Sequence, residues 1–543
     1  MQKSLRSTLT GQDALWAVLL WTLGLAVVWQ FSIIGFDTHH TGLLFRTALD
    51  VASGKVLFAE VFTQYGALTV WLQALGILLL GPFVRSILFV TAVFYAGAYC
   101  LFFLLARRFL PRPLSLLATL FAIFLAPYFF WDFHPWSSVF SLFFALLCTH
   151  ALLSCVEKLT PWPPFLGGLC SALAFWCRQP VGMVCVLSGV LLFAFFAYSD
   201  RRCGSPRTAW RQLLLFLGGT LAGLVCLLVP IAATGALADF YRQSLHGMLT
   251  FAAERSGSGV VGQMIFCLFG APLDSGTALW YSYLWALLPL CTLALCVRSA
   301  WQILQVQRQE REPRLVLVCC VMALAAWHQY YPVFCQRHWY WGGLACILPT
   351  VLLLRLLCLR LCKKGPRQKA LLCLLLLCVF GTGVFYRVAS GTQKLARKQE
   401  LIRYEGGAVP YLRGLWLDPE VVLHFDTLWE SVALLHALFP DKNVVNLTQN
   451  AFYDLLGEDF YHLYAPHVSS VYATQAAITA HYIQSHRPIV IADHAPEGYV
   501  LFRAAVGDHA DDHAAYHDLP ANLYLPAELL QALPGQVHER THV

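Results

Sequence analysis

Apolar residues in this chain fall in long blocks rather than in stripes. Eleven blocks, at about 14–34, 86–105, 114–130, 137–155, 163–177, 181–198, 213–234, 280–298, 315–331, 340–358 and 370–386, reach or approach the roughly 20 residues an α-helix needs to cross a bilayer. None alternates with period two, so barrel strands are excluded and membrane-spanning helices remain. The blocks 163–177 and 181–198 are short and joined only by Arg178-Gln179-Pro180, which reads as a hairpin that just reaches the far face. The first block is of full span length with no small-residue cleavage site behind it, and is read as a retained span. Between the first two blocks, Thr41 to Ala52 carries apolar residues at helical spacing, a pattern for a helix lying flat on the membrane.

Beyond about Ala389 the pattern changes. Val421-Val422-Leu423-His424-Phe425, Asn443-Val444-Val445-Asn446-Leu447 and Pro488-Ile489-Val490-Ile491-Ala492-Asp493 read as short buried strands between helical stretches, which favours a partly parallel sheet. The expected architecture is an all-α polytopic membrane protein of about eleven transmembrane helices with a C-terminal extracytoplasmic α/β domain. Residues 1–388 form the membrane part, with a long loop at 35–85, and residues 389–543 form the soluble part.

Composition strengthens this reading and charge orients it. The chain is 58% hydrophobic and 12% charged, against about 25% charged in an average soluble protein. Arg107, Arg108, Arg112, Arg201, Arg202, Arg308, Arg311, Arg314, Lys363 and Lys364 crowd one set of loops, whereas the opposite set holds far fewer, among them Arg46, Lys55, Arg178 and Arg337. The positive-inside bias puts the amino terminus in the cytoplasm and both Asp37 and the C-terminal region outside. That region has 9 Lys+Arg against 18 Asp+Glu, leaving 28 against 12 in the membrane part. It also has 12 of the 19 histidines and none of the 19 cysteines, which suits delivery to an oxidising compartment without a disulfide framework. The membrane cysteines read as small buried hydrophobes.

The polar residues of the outer loops are the candidates for chemistry. Loop 35–85 carries Asp37, His39, His40, Glu60, Gln64 and Tyr65; a second loop carries Asp132 and His134; a third is Arg178-Gln179-Pro180; a later one carries Arg337 and His338 before Trp339-Tyr340-Trp341. Converging in one cleft, they supply an acid to take a proton and guanidinium forks that match phosphate oxygens. Plain structural readings stand beside each. Asp37 also suits the start of the flat helix, Glu60 a solvated loop, Arg178 an interfacial side chain, and the aromatics near Arg337 an interfacial belt. Adjacent His39 and His40 are poorly placed to share one ion, so hydrogen bonding to substrate is favoured, with a divalent metal as the open alternative. No other cofactor is called for. In the tail, His509, His513 and His517 read as a solvated loop, or as a metal-binding face if helical. Asn446-Leu447-Thr448 fits a glycosylation sequon, a triplet common by chance.

Taken together, an acid directly after the first span, amphipathic helices in the first outer loop, the run Glu60-Val61-Phe62-Thr63-Gln64-Tyr65-Gly66-Ala67-Leu68, and a soluble tail after about eleven spans resemble the GT-C glycosyltransferases. That superfamily includes protein O-mannosyltransferases and lipid A aminoarabinose transferases. The resemblance covers residues 1–390. One departure is Thr38, where many members have Glu directly after the first Asp. The resemblance implies a bacterial plasma-membrane enzyme that moves a hexose or pentose from a polyprenyl-phosphate donor to an extracytoplasmic glycan, lipid or protein, with inversion. Asp37 would then be the general base, Glu60 a second acid, and Arg178 and Arg337 would face the phosphate, assisted by His338. Membrane lipid is an expected partner and nucleic acid is not. The alternative is a transporter or flippase of lipid-linked sugars, which needs ionisable residues at mid-span; the spans hold almost none.

Overall fold

The protein is described here by a computed structural model covering residues 10–35, 37–125, 133–157, 160–202, 207–247, 249, 279–305, 311–330, 336–361, 365–448, 450–457, 473–505 and 521–533. Eleven helices fall on the eleven apolar blocks. They are α1 (Gly11–Ser32), α4 (Val84–Arg107), α5 (Arg112–Leu125), α6 (Ser137–Glu157), α7 (Trp162–Cys177), α8 (Gln179–Arg202), α9 (Arg207–Ala233), α10 (Leu279–Gln305), α11 (Arg311–Trp327), α12 (Gln336–Leu361) and α13 (Pro366–Arg397). Two further helices, α2 (His40–Ala52) and α3 (Ala67–Leu80), lie in the loop between α1 and α4. Seven of the eleven are, by length and apolarity, able to cross a membrane; α5, α7 and α11 are shorter, at 14, 16 and 17 residues, and Pro419–Leu438, which also qualifies by length, belongs to the tail.

The two ends of the bundle differ in chemistry. At the end where α1 begins, Asp13 is buried and accepts from Arg107 Nε at 2.8 Å and Arg112 Nε at 2.9 Å, while Thr10 and Asp13 form a capping box. Arg314 pairs with Asp200, and Arg108 with Glu157, at the same end. These pairs stitch helix termini together where the loops are rich in arginine. The other end carries Asp37, the turn between α7 and α8, and the tail.

The tail begins as α13 runs unbroken to Arg397. A two-stranded antiparallel ribbon, β1 (Ile402–Arg403) with β2 (Trp416–Leu417), precedes α14 (Pro419–Leu438). A four-stranded sheet follows in the order β3-β4-β6-β5, made of β3 (Val444–Asn446), β4 (Ile489–Ala492), β5 (Tyr499–Arg503) and β6 (Asn522–Pro526), with α15 (Ala473–His486) before β4. Only β3 and β4 run parallel. The strands expected at 443–447 and 488–493 are present. The one expected at Val421–Phe425 is instead the second turn of α14. Its start is written in Asp418, whose carboxylate accepts from Glu420 N at 3.0 Å, and in Pro419 at the first helical position.

The tail is not a separate ball on a stalk. Leu44, Phe45 and Ala48 of α2 and Ile87 and Leu88 of α4 share one apolar core with Leu412, Leu415, Phe425 and Phe452. The contact is closest at Gly42, where an added Cβ would lie 2.6 Å from the backbone nitrogen of Phe452. Backbone cannot yield as a side-chain tip can. Gly42→Ala is therefore expected to cost stability near the upper part of the roughly 1–3 kcal/mol typical of overpacking. It should lower the thermal midpoint in detergent and open Lys398 and Arg413 to trypsin, whereas Gly218→Ala, with open space around it, should do neither.

Candidate active site

The end of α1 is fixed before the site begins. Gly35 N donates to Trp416 O and Trp416 N donates to Ile33 O, both at 2.8 Å, so the tail pairs with the last residues of the first span. Asp37 follows and is buried, 4% exposed. Its Oδ1 accepts from the backbone N of His40 at 2.7 Å, and its Oδ2 lies 2.6 Å from His40 Nδ1. Its backbone carbonyl accepts from Thr41 N and Gly42 N, so the residue also opens α2. Asp37 thus opens α2 with both its carbonyl and its carboxylate. Burial alone pushes the carboxyl up, but the charge and hydrogen bond of His40, with His134 nearby, reverse this and hold it well below the usual carboxylate range.

Aromatic rings close around the pair. The His40 ring meets Trp136 edge-on at 4.8 Å, His39 at 4.4 Å and His134 at 6.2 Å between centroids, and Trp136 in turn meets Tyr65 at 5.2 Å. Gln64 Nε2 donates to the Tyr65 hydroxyl at 3.0 Å. Burial pushes that hydroxyl up to about 12 in spite of the opposing charge of Arg178. Gly66 is required at the end of this turn, because a Cβ there would stand 2.0 Å from Trp176 O at the end of α7. From the other side, Gln243 Nε2 donates to Phe58 O at 2.7 Å and Ser244 Oγ to Tyr65 O at 3.3 Å, which positions the 58–65 segment.

Arg178 is buried between α7 and α8, its Nη2 donating to Gln329 O at 2.9 Å and its Nη1 to Ser137 Oγ at 3.5 Å. It is held among other elements rather than reaching for an interface. Gln179 Nε2 donates to Gln64 O at 3.4 Å, tying this turn to the first loop. His328, just after α11, is half-buried beside Arg178. It also borders an apolar cavity of about 320 Å³ lined by Val184, Ser188, Val321, Leu324 and Trp327. The structure thus brings together Asp37, His39, His40, Gln64, Tyr65, His134, Arg178 and Gln179. Glu60 is exposed, and its carboxylate accepts from Val56 N at 2.6 Å within its own turn. Asp132 and His509, His513 and His517 lie outside the described residues; Arg337 and His338 fall in the first turn of α12, their side chains outside the description. Among the described residues no three His, Cys, Asp or Glu side chains are grouped to hold a metal.

Several residues that build the site escape sequence reasoning. Thr38 is buried; its hydroxyl donates to Asn450 Oδ1 and its carbonyl accepts from Phe452 N at 3.0 Å. Asn450 is held by Thr448 Oγ1 and by Asn446 Nδ2, whose second bond reaches Asp454 Oδ1 at 2.8 Å. Asn446 is 1% exposed with its amide nitrogen doubly used, so the sequon triplet is a structural turn in the folded chain. Arg46 of α2 bonds Asp454 O and Asp50. Ser137, Gln329 and Gln243 are similarly invisible in advance, since none stands out by type or spacing.

No family model matches the sequence, and no curated protein does. Among solved structures, ArnT from Cupriavidus metallidurans bound to undecaprenyl phosphate is similar over 94% of this chain and 98% of its own, with a TM-score of 0.52 at 11% identity. The apo state of the same ArnT is similar over 96% and 99%, with a TM-score of 0.51 at 12% identity. These likenesses give the chain the fold of ArnT, a polytopic helical membrane architecture with a C-terminal domain, as the order of apolar blocks and tail predicted.

The junction beneath α2 carries its own pH signature. Burial raises the Asp454 carboxyl to about 7, against the lowering effects of Asn446 and Arg46. A carboxyl raised on folding contributes stability that is complete below its ordinary value of 3.8 and is lost as pH rises through about 7. Thermal midpoints measured across that window should fall with rising pH, and Asp454→Asn should flatten the slope.

Proposed function

We propose that the protein is a membrane glycosyltransferase that moves a sugar from a polyprenyl-phosphate donor to an acceptor hydroxyl on the Asp37 face, which loop charge assigns to the extracytoplasmic side. The observation that carries this reading is the Asp37–His40 pair. A carboxylate kept ionised while buried is costly unless bonded, and such groups concentrate at functional sites. Here it stands at the mouth of a bundle whose fold is that of ArnT, a protein solved with undecaprenyl phosphate bound.

In an inverting transfer the acceptor oxygen attacks the anomeric carbon as its proton is taken away, and the bond from that carbon to the phosphate oxygen breaks. The Asp37–His40 pair supplies the proton acceptor. Arg178 and Arg337, with His338, supply positive charge to the departing phosphate, and the cavity beside His328 takes the first part of the lipid chain. His39, Gln64, Tyr65, Asp132, His134 and Gln179 bind the sugar and acceptor hydroxyls, and Glu60 acts as a second acid from the rim. Whether the sugar is a hexose or a pentose follows from the donor accepted.

The test is incubation of purified protein with a panel of polyprenyl-phosphate hexoses and pentoses and an envelope extract as acceptor, reading released polyprenyl phosphate. Release from at least one donor is expected, with Asp37→Asn slower by about 10² or more. Folded protein that releases carrier phosphate from no member of the panel would overturn the reading.

A further inference from the structure

The buried carboxylate and the partly exposed imidazole at this site divide the work unequally, and we infer that His40, through Nε2, is the group that takes the acceptor proton, with Asp37 as its orienting partner. This rests on the glycosyl-transfer reading above and reassigns the general base within it.

An ionised carboxylate only accepts hydrogen bonds, so the nitrogen facing it must carry the proton. Asp37 Oδ2 lies 2.6 Å from His40 Nδ1, and Oδ1 accepts from the backbone N of the same residue. Both carboxylate oxygens therefore serve His40. When the ring is neutral, they fix it in the Nδ1–H tautomer with the lone pair on Nε2. The Asp37 side chain is 3% exposed and that of His40 is 32% exposed, so the imidazole is the member that meets an incoming hydroxyl. Among the described residues Asp37, His39, His134 and Trp136 pack against it, an arrangement that limits how far the ring can swing. A carboxylate so well satisfied is also a weak base, whereas one that orients an imidazole stabilises the imidazolium that forms.

The step balances without a further reactant. The acceptor O–H proton passes to His40 Nε2 as the acceptor oxygen bonds the anomeric carbon. The electron pair of the breaking C–O bond leaves with the polyprenyl phosphate, and the imidazolium, paired with Asp37, later returns its proton to solvent.

Three measurements on the full-length protein in detergent test this, all reading polyprenyl phosphate release from the active donor of the panel. The pH dependence of kcat/KM for the wild type should show an acidic limb that is absent from the residual activity of His40→Ala. His40→Ala should lose about 10²-fold or more in kcat, and added imidazole should restore part of it. Asp37→Asn should be impaired and should not respond to imidazole. An acidic limb that persists in His40→Ala, or His40→Ala within about threefold of wild type while Asp37→Asn is inactive, would return the base to Asp37. A wild type inactive on every donor sinks the transferase reading instead, so the two failures are separable.

Discussion

Everything at this site depends on one constraint: a carboxylate withdrawn from water has to find its hydrogen bonds within the fold. Asp37 finds two in a single residue three positions on, because the chain turns sharply enough for both the backbone N–H and the ring of His40 to reach it. That turn is short and would be frail alone. It is held upstream by backbone pairing between Ile33, Gly35 and Trp416, and downstream by the grip of Asn450 and Phe452 on Thr38. Helix α2, which Asp37 opens, is then pressed between α4 and the tail.

The tail therefore acts as part of the site's wall. Its apolar side shares a core with α2 and α4, and its polar side is a web in which Asn446, Thr448, Asn450 and Asp454 satisfy one another before touching the loop. Such a web is rigid when complete and costly when broken, because each lost partner leaves a buried polar atom. Membrane and tail chemistry meet in Arg46, which bonds Asp50 on its own helix and the carbonyl of Asp454 across the junction.

Much of this was legible in the sequence, for physical reasons that differ by level. The spans were legible because bilayer thickness imposes a length, and α5, α7 and α11 were the places where that length ran short. Asp37, His40 and Arg178 were legible because charge is rare in so apolar a chain. Val421–Phe425 misled because a five-residue apolar run fits a strand or a buried helix turn equally well, and the deciding residues, Asp418 and Pro419, lie just outside it. The Thr38–Asn450 bond was beyond reach. Its partners are common residue types 412 positions apart, and only the completed fold gives them a reason to meet. Glu60 was singled out by the motif around it and stands exposed, its carboxylate also holding its own turn, while Trp136, offered by the sequence only as part of an aromatic loop, stands against His40.

The bond between Thr38 and Asn450 also sets an order of events in time. A ribosome releases the first loop early and the tail last, so the acid and its imidazole emerge long before the residues that clamp them. Until the final segment has folded back, the loop lacks its wall, and a chain cut short before residue 450 would lack the partner that Thr38 needs. The dependence on the last-made segment works as a completion check: only a whole protein, threaded with an odd number of crossings so that both ends of the bond share one side, acquires the finished centre.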